Sequence, residues 1–116
     1  EKAARSDFIA GQYEEDVVAL YVKEALAEAP RSPNGVRVDG MTKLTILIPE
    51  EIKVPTLIIH PEKDFVANEA NTLEFFSRLG TKYKSYAALP DGGHAILLEK
   101  NYRKFQDVVL GFLDQQ

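Results

Sequence analysis

Two residues of this 116-residue chain have types and spacing suited to acid–base chemistry. Asp64 stands in His60-Pro61-Glu62-Lys63-Asp64, and His94 stands in Pro90-Asp91-Gly92-Gly93-His94. A carboxylate that accepts a hydrogen bond from one imidazole nitrogen fixes the ring's tautomer. The other nitrogen is then free to take up a proton near neutral pH. Each residue also has a plainer reading. Asp64 could be a turn-forming or helix-capping aspartate, with Glu62 as the nearest competing carboxylate. His94 could be an ordinary loop residue after a Gly-Gly turn.

The surrounding elements favour the chemical reading. Val54-Pro55-Thr56-Leu57-Ile58-Ile59 is a continuous apolar run, which suggests a strand buried on both faces, as in a parallel sheet. Pro55 falls near its start, where a missing N–H is tolerated. Residues His60 to Ala67 read as a loop. Asn68 to Leu79 reads as a helix with Ala70, Leu73, Phe76 and Leu79 on one stripe and Gly80 at its end. Lys82 to Leu89 alternates like a second strand, and Pro90 to Gly93 is a turn. Asn101 to Asp114 is the last helix, with Tyr102, Phe105, Val109 and Phe112 at helical spacing. Residues 52–115 therefore read as a βαβα unit with a right-handed crossover. Asp64 follows the first strand and His94 the second. In an open parallel sheet, ligands and catalytic groups gather beyond the carboxyl ends of the strands.

Upstream, Asp7 to Ala29 is helical in pattern, with Tyr13, Val17, Leu20, Tyr21 and Ala25 near 3.6 spacing. Gly11 separates a short turn from the longer helix. Glu14, Glu15 and Asp16 sit where a helix dipole favours acids, and Pro30, Pro33, Asn34 and Gly35 break the pattern. Gly35 to Lys53 reads either as a short helix or as an extended connection. No internal repeat is present.

The ordered set of motifs resembles the C-terminal part of the α/β-hydrolase superfamily. Its "I-x-V-P-T-L-x-I" strand stands here as Ile52-Lys53-Val54-Pro55-Thr56-Leu57-Ile58-Ile59, ahead of the loop with Asp64. Its "G-H" with a Glu five residues after the His stands as Gly93-His94 and Glu99, and the closing helix ends in Phe112-Leu113. The match covers residues 52–113. The chain departs from the family at Pro61, where Gly is usual, and at Ala67-Asn68, where a Pro is common.

The resemblance implies an α/β fold in which residues 1–45 are a helical cap-like or lid-like segment. Residues 46–116 are then the C-terminal core segment of a parallel sheet, incomplete as a domain. It implies Asp64 as the triad acid and His94 as the triad base. The complete enzyme would hydrolyse an ester, amide or similar bond in a small-molecule substrate. The nucleophile would be a Ser, or an Asp as in the dehalogenase and epoxide-hydrolase branches. The G-x-S-x-G elbow that carries such a nucleophile is missing. Ser6, Ser32, Ser77 and Ser85 are not flanked by glycines. Without an elbow or an oxyanion-hole loop the isolated chain is expected to be inactive. The alternative is a non-catalytic half-fold that binds or self-assembles.

Composition narrows the rest. A 45% hydrophobic and 28% charged balance is that of a globular domain, not of a disordered or low-complexity chain. A net charge of −4 speaks against nucleic-acid binding. With no cysteine, thiolate zinc sites and cysteine nucleophiles are excluded. The apolar runs are too short to span a membrane, and no signal peptide opens the chain, so the cytoplasm is the expected compartment. The chain starts at Glu1 without a Met, which reads as a processed or truncated product.

No cofactor or metal is expected. His60, Glu62, Asp64 and His94 could supply ligands, but no i, i+4 His pair supports such a site. His60 reads as a packed or hydrogen-bonded core histidine, and Glu99 as a carboxylate at the N-terminal turn of the last helix. Lys82, Tyr83, Lys84 and Tyr86 form a small basic-aromatic patch typical of an edge strand, and Phe75-Phe76 reads as core. Two strands make a poor independent sheet. The open edge is expected to be covered by a second copy or by a missing N-terminal half.

Overall fold

The computed structural model describes residues 2–29, 31, 35, 38 and 47–115. Helix α1 spans Lys2–Arg5 and α2 spans Glu15–Glu28. Strand β1 is Thr56–Pro61, helix α3 is Glu69–Arg78, strand β2 is Lys84–Leu89 and helix α4 is Tyr102–Leu113. Short 3-10 turns lie at Pro49–Glu51 and Ile96–Leu98. Most of the stretch before Pro49, read as a short helix or a connection, lies outside the described residues, as does the later part of the cap-like segment.

The expected βαβα order is present, and β1 and β2 pair in parallel with Ile58 opposite Tyr86 and His60 opposite Ala88. Asn68 starts α3 by accepting the N–H groups of Ala70 (2.9 Å) and Asn71 (3.3 Å) on its side-chain oxygen. That satisfies donors that the first helical turn leaves open. The other end of α3 is closed by Lys84. Its ammonium reaches the carbonyls of Phe76 (2.8 Å), Ser77 (2.9 Å) and Leu79 (3.3 Å). A cation there meets the negative end of the helix dipole. Lys84 is thus a helix cap, not part of a basic surface patch. Tyr86 turns toward the rings of Phe76 and His60.

Three expectations about packing need correction. The strands are not buried on both faces: Thr56 to Ile59 are half-buried, because the described sheet has two strands and cannot cover itself. The stripe on α3 is likewise only partly covered, with Leu73 exposed and Phe75 and Phe76 half-buried. In α2 the buried ridge is Val18 and Val22, not the Val17–Leu20–Tyr21 face. Leu20 is exposed. The turn before the helix, where Gly11 takes φ +83°, folds Phe8 and Tyr13 back onto the Val18–Val22 ridge. This small core also receives Ala95, the residue after His94. Lys100 ties the same segments together through its N–H to the Gln12 carbonyl (2.7 Å) and its ammonium to the Gly11 carbonyl (3.2 Å). No helix among the described residues is long and apolar enough to cross a membrane.

Candidate active site

The parallel pairing brings the loops after β1 and β2 side by side, and short bonds lace them together. Glu62 N–H donates to the Leu89 carbonyl (2.8 Å) and Lys63 N–H to the Gly92 carbonyl (2.9 Å). Asp91 N–H donates to Glu62 Oε2 (3.0 Å), and the Asp91 carboxylate pairs with the Lys63 ammonium (2.8 Å). Asp91 holds φ +59°, a conformation aspartate tolerates better than most residues. Glu62, the competing carboxylate, is thus occupied with the turn rather than with His94.

Asp64 is positioned by its own loop. Its N–H donates to the Pro61 carbonyl (3.1 Å), so the turn closes with Pro in the place where the family usually has Gly. Its Oδ1 accepts the N–H groups of Val66 (2.8 Å) and Ala67 (3.1 Å). His94 Nδ1 lies 3.2 Å from both Oδ1 and Oδ2 of Asp64. The two residues singled out by type and spacing therefore meet. The Asp64 side chain is 8% exposed and the His94 side chain 43% exposed. Burial opposes ionisation of Asp64, but the Ala67 and Val66 N–H groups and the His94 ring outweigh it. They hold the carboxyl below the ordinary carboxylate range. A neutral imidazole in this geometry carries its proton on Nδ1 and donates to the carboxylate. Its Nε2 then has a free lone pair.

The pair opens onto a cavity of about 580 Å³ that Ile59, Pro61, Leu98 and Phe105 help to line. Asp7 and Tyr21 of the N-terminal segment reach the same cavity. The spacing in α2 grouped Tyr21 with Val17 and Leu20 and gave no sign of this role, because nothing local says which element a helix faces. Among the described serines, Ser77 lies on α3 and Ser85 on β2, and neither they nor Ser6 lines the cavity. Ser32 lies outside the described residues.

The other residues considered for metal binding do not converge on the pair. His60 and Glu62 line a separate hollow with Glu69, since successive strand residues face opposite sides of the sheet. His60 is buried and stacks on Tyr86, and its Nδ1 has no hydrogen-bond partner among the described residues. No group of three or more potential ligands gathers among the described residues. Glu99 does not serve as an acid at the first turn of α4. It is buried beneath the His94 loop, where its Oε2 accepts the Gly93 N–H at 2.8 Å.

Comparison with known proteins finds a matching family model and similar solved structures. Residues 6–101 match the family model described as serine aminopeptidase, S33 (Hydrolase_4). The solved structure of a His-tagged serine hydrolase involved in carbazole degradation, the CarC enzyme, aligns with a TM-score of 0.69 and 17% identity. The alignment covers 99% of this chain and 46% of that one, so the chain spans about half that protein's length. At this identity the likeness speaks for the fold alone. No curated protein matches the chain.

Proposed function

Because the chain belongs to the serine aminopeptidase (S33) family of the α/β-hydrolase superfamily, we propose that it supplies the acid and base of a serine hydrolase. One observation carries the reading: Asp64 and His94, on loops that follow neighbouring parallel strands, pair at 3.2 Å beside a cavity. In this reading His94 Nε2 takes the proton of a serine hydroxyl as its oxygen attacks the carbonyl carbon of an ester or amide. The bond from that carbon to the leaving group breaks, and His94 delivers the proton to the leaving oxygen or nitrogen. Water then enters through the same base, its oxygen bonds to the acyl carbon, and the serine departs with the proton. Asp64 holds the ring by Nδ1 and stabilises the imidazolium. No cofactor or metal is needed for these steps.

The serine itself is proposed to come from outside residues 1–116, since no nucleophile elbow is present in them. The family's description favours Ser over the Asp of the dehalogenase and epoxide-hydrolase branches. Two measurements test the reading. The 116-residue chain should not react with a fluorophosphonate probe, and stoichiometric labelling would overturn the placement of the serine. In the protein as the cell makes it, His94→Ala should lower hydrolysis of p-nitrophenyl acyl esters by about 10⁴-fold or more. A folded His94→Ala protein with undiminished turnover would sink the assignment.

A further inference from the structure

We infer that Glu99 is a positioning residue for His94. Its buried carboxylate holds the Gly93 N–H and so fixes the backbone from which the imidazole meets Asp64. The inference rests on the reading of Asp64 and His94 as an acid–base pair.

Glu99 is 2% exposed, and with Val18 it is one of the two largest fully buried side chains among the described residues. A carboxylate in such a place is costly unless polar groups meet it, and an apolar side chain of similar volume would fill the space at less cost. Stability alone therefore does not explain it. What it touches is the residue immediately before His94. Oε2 accepts the Gly93 N–H at 2.8 Å. Oε1 has no hydrogen-bond partner among the described residues, yet it lies against the same glycine. A Cβ on Gly93 would stand 2.6 Å from Glu99 Oε1 and 2.6 Å from Ile9 Cδ1. The Gly93 peptide is thus held by one hydrogen bond and walled on two sides, and a Cβ there would require the Glu99 and Ile9 side chains to shift.

Glu99 is itself fixed at both ends of its residue. Its N–H donates to the Ile96 carbonyl (3.3 Å), and its carbonyl accepts the Tyr102 N–H (3.1 Å) at the start of α4. Neighbouring Lys100 is bound to Gln12 of the N-terminal segment. The tether therefore connects the His94 loop to α4 and to the segment that carries Ile9. At 3.2 Å to both carboxylate oxygens, the Nδ1 contact is at the long end of hydrogen bonding. A small shift of the Gly93 peptide is enough to break it.

The test is imidazole ¹⁵N NMR on the full chain at about pH 8.5, above the ordinary imidazole range. The chain has two histidines, so His60 serves as an internal reference. In the unmodified chain His94 should be the Nδ1–H tautomer. Glu99→Ala should convert it largely to Nε2–H, the form a free ring prefers, while the His60 signals stay in place. Glu99→Gln should restore Nδ1–H, because its amide oxygen still accepts the Gly93 N–H. A folded Glu99→Ala chain that keeps the Nδ1–H form of His94 overturns the inference. So does a Glu99→Gln chain that loses it as fully as Glu99→Ala. Should Glu99→Ala not fold, Glu99→Asp draws the carboxylate back by one methylene and is scored the same way: loss of the Nδ1–H form supports the tether, and full retention overturns it. Asp64→Ala separates the two levels. If that variant leaves the His94 tautomer unchanged, the acid–base pair fails, whatever Glu99 does.

Discussion

Replacing Asp64 by Ala probes the loop and the pair together. The carboxylate accepts the Val66 and Ala67 N–H groups and faces His94 Nδ1. Hydrogen bonds contribute about 0.5–1.5 kcal/mol net, and more when one partner is charged and buried. Val66 is exposed, so water takes over there and that bond contributes about 0.5 kcal/mol. Ala67 is half-buried, and its bond contributes about 1 kcal/mol. His94 is open enough to turn its Nδ1 to water, so its share is small. Relief from burying the carboxylate offsets part of this, which leaves a loss of about 1 kcal/mol. For a chain of this size that is a fall in midpoint of roughly 4–8 °C. Asp64→Asn keeps an oxygen that can accept both N–H groups, so it should lose less than about 1 kcal/mol. Thermal unfolding followed by circular dichroism at neutral pH measures both variants. An Asp64→Ala chain within about 0.5 kcal/mol of the unmodified one would refute the accounting, since the bonds would then carry no stability. An Asn variant as weak as the Ala variant would refute the division between loop and charge.

The pH dependence follows from the same group. The Asp64 carboxyl is held below its ordinary value in the folded chain. Its contribution is therefore fully present above the unfolded value of about 3.9 and is lost as pH falls through the folded one. The gap in midpoint between the unmodified chain and Asp64→Ala should close as pH falls below about 4, where the carboxyl becomes protonated. A gap that widens on acidification would contradict the sign of the shift. At the start of α3, Asn68→Ala should cost about 1 kcal/mol by urea unfolding, and Asn68→Asp should cost almost nothing, because only the Ala variant leaves the Ala70 and Asn71 N–H groups without their acceptor.

The face-to-face meeting of Asp64 and His94 depends on more than strand pairing. The register of β1 and β2 places Pro61 beside Leu89, and the bonds from Glu62, Lys63 and Asp91 then carry that alignment past the strand ends. The N-terminal segment adds a second layer, since Phe8, Val18 and Val22 pack with Ala95, the residue after the histidine. A substitution in α2 that loosens this small core is therefore expected to disturb the loop as well as the helix.

Much of this was open to reading in the sequence because the responsible physics is local. A continuous β-branched run makes a strand, an Asn before an amphipathic stretch starts a helix, and Asp64 and His94 fall just after the two strands. Parallel pairing of consecutive strands then suffices to bring their loops together. Tertiary structure decided what local pattern cannot express. Val18 rather than Val17 is buried because Phe8 and Tyr13 fold back onto one ridge. Lys84 caps α3 because pairing with β1 sets its strand beside that helix's end. Tyr21 reaches the cavity through the placement of α2, and Glu99 meets Gly93 rather than the first turn of its own helix because the 3-10 turn at Ile96–Leu98 points it inward. Periodicity records which side of an element is apolar, whereas the partner on that side is fixed by the packing of residues as far apart as Gly11 and Lys100.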